Sequence, residues 1–189
     1  MKTFIFEISV ILISVLLLLV LVKMEKKTLK RYLILVVGFL IFEFFTQPLW
    51  HNKNMSNWAY LYQDVSWVLT IGWASILLFS MFITDYYFKL RETKRFFIYL
   101  LIAGIIGIIA EAIVISLGIR SYSPDVMVVL SNINIVFTQV PIETLYYMPV
   151  FMALIIGFTR YFEMCFNKTT KIKSKKTHKK TKRGNKRKK

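Results

Sequence analysis

Long apolar runs alternate with short polar linkers along this chain, and four of the runs are unambiguous: about 4–22, 32–50, 59–88 and 96–118. A bilayer core of about 30 Å takes roughly 20 apolar residues in a helix, so each run predicts a helix able to span one. A fifth run, about 142–162, begins after Pro141, where proline suits a helix start, and holds Pro149 inside it, which predicts a kink. The first run is read as a retained helix rather than a signal peptide. It contains Glu7, is longer than a typical signal core, and ends in Val22-Lys23-Met24-Glu25 with no small-residue cleavage site. The stretch Val126–Val140 is mostly apolar but short, and Ser131, Asn132, Asn134 and Thr138 interrupt it. It predicts a re-entrant or interfacial segment, with a sixth span as the competing reading.

Composition agrees with a lipid-solvated body. The chain is 56% hydrophobic and 19% charged, whereas water-soluble domains average about 25% charged residues and rarely carry apolar runs of this length. The formal charge of +16 is local: Lys168 to Lys189 hold 13 Lys/Arg and no acid, while residues 1–167 hold the other 13 and all 10 acids. The chain therefore divides into a polytopic helical membrane domain, 1–167, and a basic tail, 168–189, predicted to be disordered because it is too polar and charged to bury a core. The tail suits anionic headgroups better than nucleic acid, because no aromatic residues are interleaved for base stacking. One cysteine, Cys165, and two histidines, His51 and His178, exclude an internal disulfide framework and a Cys/His metal centre. No cofactor is implied.

Charge also predicts topology, since short cytoplasmic linkers are rich in Lys/Arg. The linker 23–31 holds Lys23, Lys26, Lys27, Lys30 and Arg31, and the linker 89–95 holds Lys89, Arg91, Lys94 and Arg95. The remaining linkers hold only Lys53 and Arg120. Five spans then put the N-terminus outside and the basic tail inside, whereas six would put the tail outside. The expected fold is an all-α integral membrane protein with five transmembrane helices and a weak tandem helical-hairpin repeat. In that repeat Leu40-Ile41-Phe42-Glu43 corresponds to Ile108-Ile109-Ala110-Glu111, and Gln63-Asp64-Val65-Ser66-Trp67 to Gln139-Val140-Pro141-Ile142-Glu143. Such a repeat implies a shared site between two hairpins.

Under this topology Glu7, Glu43, Asp64, Glu111 and Glu143 reach similar depth near the outer leaflet. An acid inside a span costs about 2.5–3.5 kcal/mol on insertion scales, so each needs a reason. Glu7 and Asp64 lie near span ends, where they can reach the interface or pair with Lys53 or Arg120. Glu43 and Glu111 carry apolar turns on their outer side, and Glu143 follows Pro141 and precedes Tyr146 and Tyr147, so these three are the candidate chemistry. Asp85 reads as an interfacial charge near Lys89. Trp50, Trp58, Tyr60 and Tyr62 read as an interfacial belt. Trp67, Trp73, Tyr146 and Tyr147 lie deeper, where ring faces can stabilise a cation.

The stretch from Glu111 through Gly118-Ile119-Arg120-Ser121-Tyr122-Ser123-Pro124, and then Val140-Pro141-Ile142-Glu143-Thr144-Leu145-Tyr146-Tyr147, resembles the lycopene cyclase domain of small membrane carotenoid cyclases. The resemblance covers about 95–163. Thr144 stands where the family's second paired acid would be, Arg120 in place of its linker tryptophan, and Glu111 in place of its helix-end aspartate. The resemblance implies redox-neutral cyclisation of a polyene, with an acid to protonate a terminal double bond and a base to remove a proton after ring closure. Glu143 is the implied acid and Glu111 or Glu43 the base or orienting partner. Tyr146, Tyr147, Trp67, Tyr122 and Asp64 would face the substrate, an isoprenoid or lipid reaching the site from the bilayer. Two readings compete: a non-catalytic lipid- or small-ligand-binding protein, and a proton-coupled transporter.

Overall fold

The chain ends one helix and begins the next within a few residues wherever its linkers are basic, and builds small strands wherever they are not. The computed structural model describes residues 1–186, with side chains through Phe166. Its helices are α1 (Lys2–Met24), α2 (Thr28–Thr46), α3 (Trp67–Tyr87), α4 (Glu92–Ser116), α5 (Pro124–Val129) and α6 (Thr144–Lys186). Its strands are β1 (Trp50–Asn52), β2 (Tyr60–Tyr62), β3 (Val65–Ser66) and β4 (Arg120–Tyr122). Among the described residues five helices are long and apolar enough to cross a membrane: α1, α2 with the 3-10 turn after it, α3, α4 and Thr144–Phe166 of α6. The tail expected over 168–189 lies outside the fully described residues.

Helix α1 turns its apolar residues outward. Its three buried positions, Glu7, Ser14 and Leu21, recur every seven residues, and two of the three are polar. The large apolar residues, among them Leu12, Leu16 and Leu19, point outward. That inverts the pattern of a surface helix in water. In lipid, packing rests on close van der Waals contact and satisfied polar groups. The most buried helix, α3, accordingly hides its hydroxyls: Thr70, Ser75, Ser80 and Thr84 each donate to the carbonyl four residues earlier at 2.8–2.9 Å. Helix α2 packs on α3, α3 on α4, α4 on α6 and α6 on α2, while α1 lies against α3 and α2. Leu35, Phe39, Val68, Leu77, Met81, Ala103, Met152 and Ile156 fill the centre.

All four strands lie in the less basic linkers. Strands β1 and β4 pair antiparallel with Trp50 opposite Tyr122, His51 opposite Ser121 and Asn52 opposite Arg120. Strand β2 pairs with β3. The turn into β4 is set by Gly118, whose φ of +68° favours a residue without Cβ. The Gly118 N–H donates to Ile115 and the Ile119 N–H to Val114, closing the last turn of α4 in a Schellman motif. Arg120 is thereby turned back over the bundle.

The structure corrects one expectation and adds detail to two others. The run 59–88 is not helical from its start: Ala59–Ser66 form a turn and the β2–β3 hairpin, and α3 begins at Trp67 behind Ser66, whose Oγ accepts the Leu69 N–H. The segment Val126–Val140 holds only the end of α5 and an irregular loop closed by a bridge between Asn134 and Pro141, because positive φ angles at Asn132 and Phe137 interrupt it. Asp85, read as an interfacial charge near Lys89, finds its partners elsewhere. It pairs with Arg31 at 3.2 Å and Arg95 at 3.3 Å and accepts the Tyr99 hydroxyl. Glu163 joins the same cluster through Arg31 at 2.7 Å and Arg160 at 3.3 Å, so α2, α3, α4 and α6 are tied together at the end away from the strands.

Candidate functional site

Under the β1–β4 ladder a cavity opens between α2, α3, α4 and α6, with about 460 Å³ of empty space including its mouth. Its wall is aromatic and soft: Phe39, Phe42, Trp50, Trp73, Phe151 and Met148. Phe42 and Phe151 rings lie 4.6 Å apart, and Trp50 stands edge-on to Phe151 at 6.1 Å. Three charged residues reach this space: Glu43 from the last turns of α2, Glu111 from the last turns of α4, and Arg120 from β4.

Glu111 and Arg120 form a buried ion pair. Arg120 Nη1 donates to Glu111 Oε2 at 2.9 Å, with side chains 6% and 3% exposed respectively. Arg120 Nε donates to Asn52 Oδ1 at 3.0 Å, and the guanidinium stands 5.2 Å from the Trp50 ring and 5.9 Å from the Trp73 ring. Burial is tolerated because nearly every polar face of the pair meets a partner.

Glu43 is built differently. It is 4% exposed, and neither carboxyl oxygen has a hydrogen-bond partner at normal geometry. The Thr70 hydroxyl, 2.9 Å from the Ser66 carbonyl, and the Ser66 backbone are the donors nearest the Glu43 carboxyl, and neither reaches it at ordinary hydrogen-bond geometry. Arg120 acts on Glu43 through space only. A buried acid without donors is the kind of unsatisfied group that native structures rarely keep without a use.

A line of hydroxyls leads away from Glu111. Tyr122 donates to Glu111 Oε1 at 3.4 Å, Tyr122 and Tyr147 hydroxyls lie 2.6 Å apart, and Thr144 donates to Tyr147 at 3.0 Å. Donor directions are consistent if Tyr147 donates to Tyr122, giving a chain from Thr144 to Glu111. Burial, and after it the Glu111 charge, raises the Tyr122 phenol far above its ordinary value.

The residues singled out in the sequence separate here. Glu43, Glu111 and Tyr147 line the cavity, and Tyr122 touches Glu111. Glu143 is not among the residues that line it and directly precedes α6. One of its oxygens accepts the Ser131 N–H at 2.7 Å, which holds its carboxyl below the usual range and secures the 131–143 loop. Tyr146 is 79% exposed and faces away from the cavity, because neighbouring helical positions diverge by about 100°. Trp67 donates its indole N–H to the Trp58 carbonyl at 2.7 Å, and Asp64 pairs with His51 at 2.7 Å, both within the linker structure. Glu7 neither snorkels nor pairs with a cation: it is fully buried, and one oxygen accepts the Ser56 N–H at 2.6 Å.

Several contributors escaped sequence reasoning, Phe42 and Phe151 among them. Trp50 reads as an interfacial belt residue, and Arg120 as a loop charge. The available signal for Arg120 was the electrostatic one: a buried Glu111 needs a counter-ion, and Arg120 is the nearest downstream cation. Among the described residues no cluster of three or more His, Cys, Asp and Glu could hold a metal. Comparison with family models, with curated proteins and with solved structures finds no match. The likeness to the lycopene cyclase domain therefore rests on the quoted residues alone.

Proposed function

We propose that this chain is a membrane-embedded acid–base enzyme that cyclises the end of a linear isoprenoid polyene without redox change, with Glu43 as the acid in place of Glu143. The observation that carries the reading is the Glu43 carboxyl, buried without a partner in an aromatic-walled cavity beside a second carboxyl. A carboxyl buried with no donor at ordinary hydrogen-bond geometry is costly to leave ionised, which suits it to the role of the acid.

The Glu43 proton adds to the terminal carbon–carbon double bond and leaves a tertiary cation. The ring faces of Trp50, Trp73 and Phe151 attract that cation as ring closure moves it along the chain. Glu111 then takes a proton from the carbon beside the cation, which restores a double bond. One proton enters the substrate and one leaves, so product and substrate are isomers. The hydroxyls of Tyr122, Tyr147 and Thr144 offer the proton a route from Glu111 towards the start of α6.

Two further features belong to this reading. Antiparallel pairing of β1 with β4, and the matching contacts of α2 with α3 and of α4 with α6, are what a two-fold repeat of hairpins along the membrane normal produces. The basic linkers 23–31 and 89–95 assign the strand-bearing end to the outside and the basic tail to the cytoplasm. A tag on the C-terminus should accordingly be protected in sealed, right-side-out vesicles.

Expression in a lycopene-producing host tests the activity. The wild type should convert lycopene to a cyclised isomer and Glu43→Gln should not; unchanged lycopene in both strains would overturn the reading. A non-catalytic binding role has one observation in its favour: Arg120 already neutralises Glu111, the base. Product analysis separates the two, since a binder returns its ligand unaltered.

A further inference from the structure

Beside the Arg31–Glu163 pair, α2 and α6 part to leave a groove of about 630 Å³ of empty space including its open side. Leu33, Ile34 and Val37 of α2 and Phe158, Phe162 and Phe166 of α6 line it, and Lys30 stands at one end. The three phenylalanines recur every four residues and so share one face of α6, with successive ring centroids 4.7 and 6.3 Å apart. At the other end the two helices close. A Cβ on Gly38 would stand 3.1 Å from Phe158 Cδ1 and 3.6 Å from Ile155 Cγ2.

We propose that this groove holds one acyl chain of an anionic phospholipid whose phosphate rests on Lys30. Depth carries the first part. Helix α2 begins at Thr28, and the apolar part of α6 ends at Phe166, before Asn167 and Lys168, so Lys30 and Phe166 lie at the same bilayer boundary. From Phe166 to Phe158 the groove runs about 12 Å at the helical rise, close to the roughly 15 Å of hydrocarbon in one leaflet. A cation at headgroup level over an apolar slot one leaflet deep has the outline of a phospholipid. A hydrocarbon without a headgroup would leave Lys30 without an anion.

Charge carries the second part. Lys30 Nζ stands 4.3 Å from the centroid of the Phe166 ring, whose face attracts the ammonium but offers no oxygen to its three N–H groups. Lys30 takes part in none of the ion pairs among the described residues; Arg31 and Arg160 hold Glu163, and Arg31 and Arg95 hold Asp85. The sequence adds further positive charge on both sides, Lys26 and Lys27 before the groove and 13 Lys/Arg from Lys168 onward. A zwitterionic headgroup would bring its own ammonium into this field. A phosphodiester without an amine brings none, and each lysine near the surface favours it.

The test uses the full chain in vesicles of equal phosphatidylcholine and phosphatidylglycerol, with a trace of either lipid carrying the same diazirine-bearing acyl chain. Adducts are quantified on Val37 and Phe162 in the groove, and on Leu19 of α1 and Leu101 of α4, which are exposed apolar residues outside it. The ratio of phosphatidylglycerol to phosphatidylcholine labelling in the groove, divided by the same ratio at Leu19 and Leu101, cancels any general enrichment of anionic lipid. It should be about fivefold in the wild type, the preference that one lysine gives at about 1 kcal/mol. It should fall to about one in Lys30→Gln and persist in Lys30→Arg. A wild-type value of about one would mean ordinary annular lipid, and a value unchanged in Lys30→Gln would put the selectivity in the other basic residues; either overturns the assignment. Lys30 is exposed, so both variants should keep the helical circular dichroism of the wild type. Neither Glu43 nor any product enters these readouts, so they stand or fall apart from the acid–base reading.

Discussion

Replacing Arg120 with methionine keeps a long apolar side chain but removes the one cation that faces Glu111. The pair is nearly dry, with side chains 6% and 3% exposed and 2.9 Å between charged atoms. Once Arg120 is gone, Glu111 retains a single weak donor, the Tyr122 hydroxyl at 3.4 Å. Breaking a buried pair in this way costs about 3–5 kcal/mol, because the remaining charge has lost both water and partner. Asn52 Oδ1 also loses its donor, a penalty of about 1–3 kcal/mol. The double variant Arg120→Met with Glu111→Met removes both charges and retains the Asn52 penalty and the loss of the weak Tyr122 contact, so it should be more stable than Arg120→Met by about 2 kcal/mol or more. Reversible unfolding in mixed detergent micelles, titrated with dodecyl sulfate and followed by circular dichroism, measures all the variants on one scale. An Arg120→Met protein within about 1 kcal/mol of the wild type, or a double variant no more stable than the single, would refute the desolvated ion pair.

Other perturbations report on neighbouring parts. Glu43→Met removes an acid with no hydrogen-bond partner and should stabilise the protein by about 1–3 kcal/mol in the same assay while abolishing cyclisation. Tyr122→Phe should flatten the alkaline limb of the unfolding curve. The Tyr122 phenol is raised above its ordinary 10.0 by burial and by Glu111, so the wild type keeps this contribution below that pH and loses it progressively above. Gly107→Leu forces Trp73 and Met148 apart and should cost about 1–3 kcal/mol by overpacking. Glu143→Gln should leave the cavity chemistry intact but weaken the hold on the Ser131 N–H, seen as faster protease cleavage near Ser131.

Much of the helical frame was legible because its cause is local. Apolar run length places α1, α2, α4 and the membrane-length part of α6 within a few residues of where they lie. Of the five acids expected at similar depth, the structure brings Glu43 and Glu111 into one cavity and sets Glu7 beneath the Ser56 loop. The start of α3 was missed because Ala59–Ser66 are as apolar as the helix that follows. Their hydrogen bonds to other linker residues, such as the Ser66 hydroxyl to the Ala59 carbonyl, are invisible to a hydropathy window.

The site itself depended on directions that a linear pattern does not carry. Tyr146 and Tyr147 are neighbours of one residue type, yet one faces outward and the other lines the cavity, according to how α6 is rotated against α2 and α4. Glu143 and Glu43 look equally good as buried acids. The loop that brings the Ser131 N–H to 2.7 Å from Glu143, and the bundle that leaves Glu43 without a donor at such distance, distinguish them. Sequence alone determined how many helices could span a membrane and where their acids lie along them, since both follow from residue counts against a fixed apolar thickness. The tertiary structure decided which acid is left without a partner and that Arg120 closes on Glu111. Those outcomes depend on helix rotation and strand pairing between distant segments.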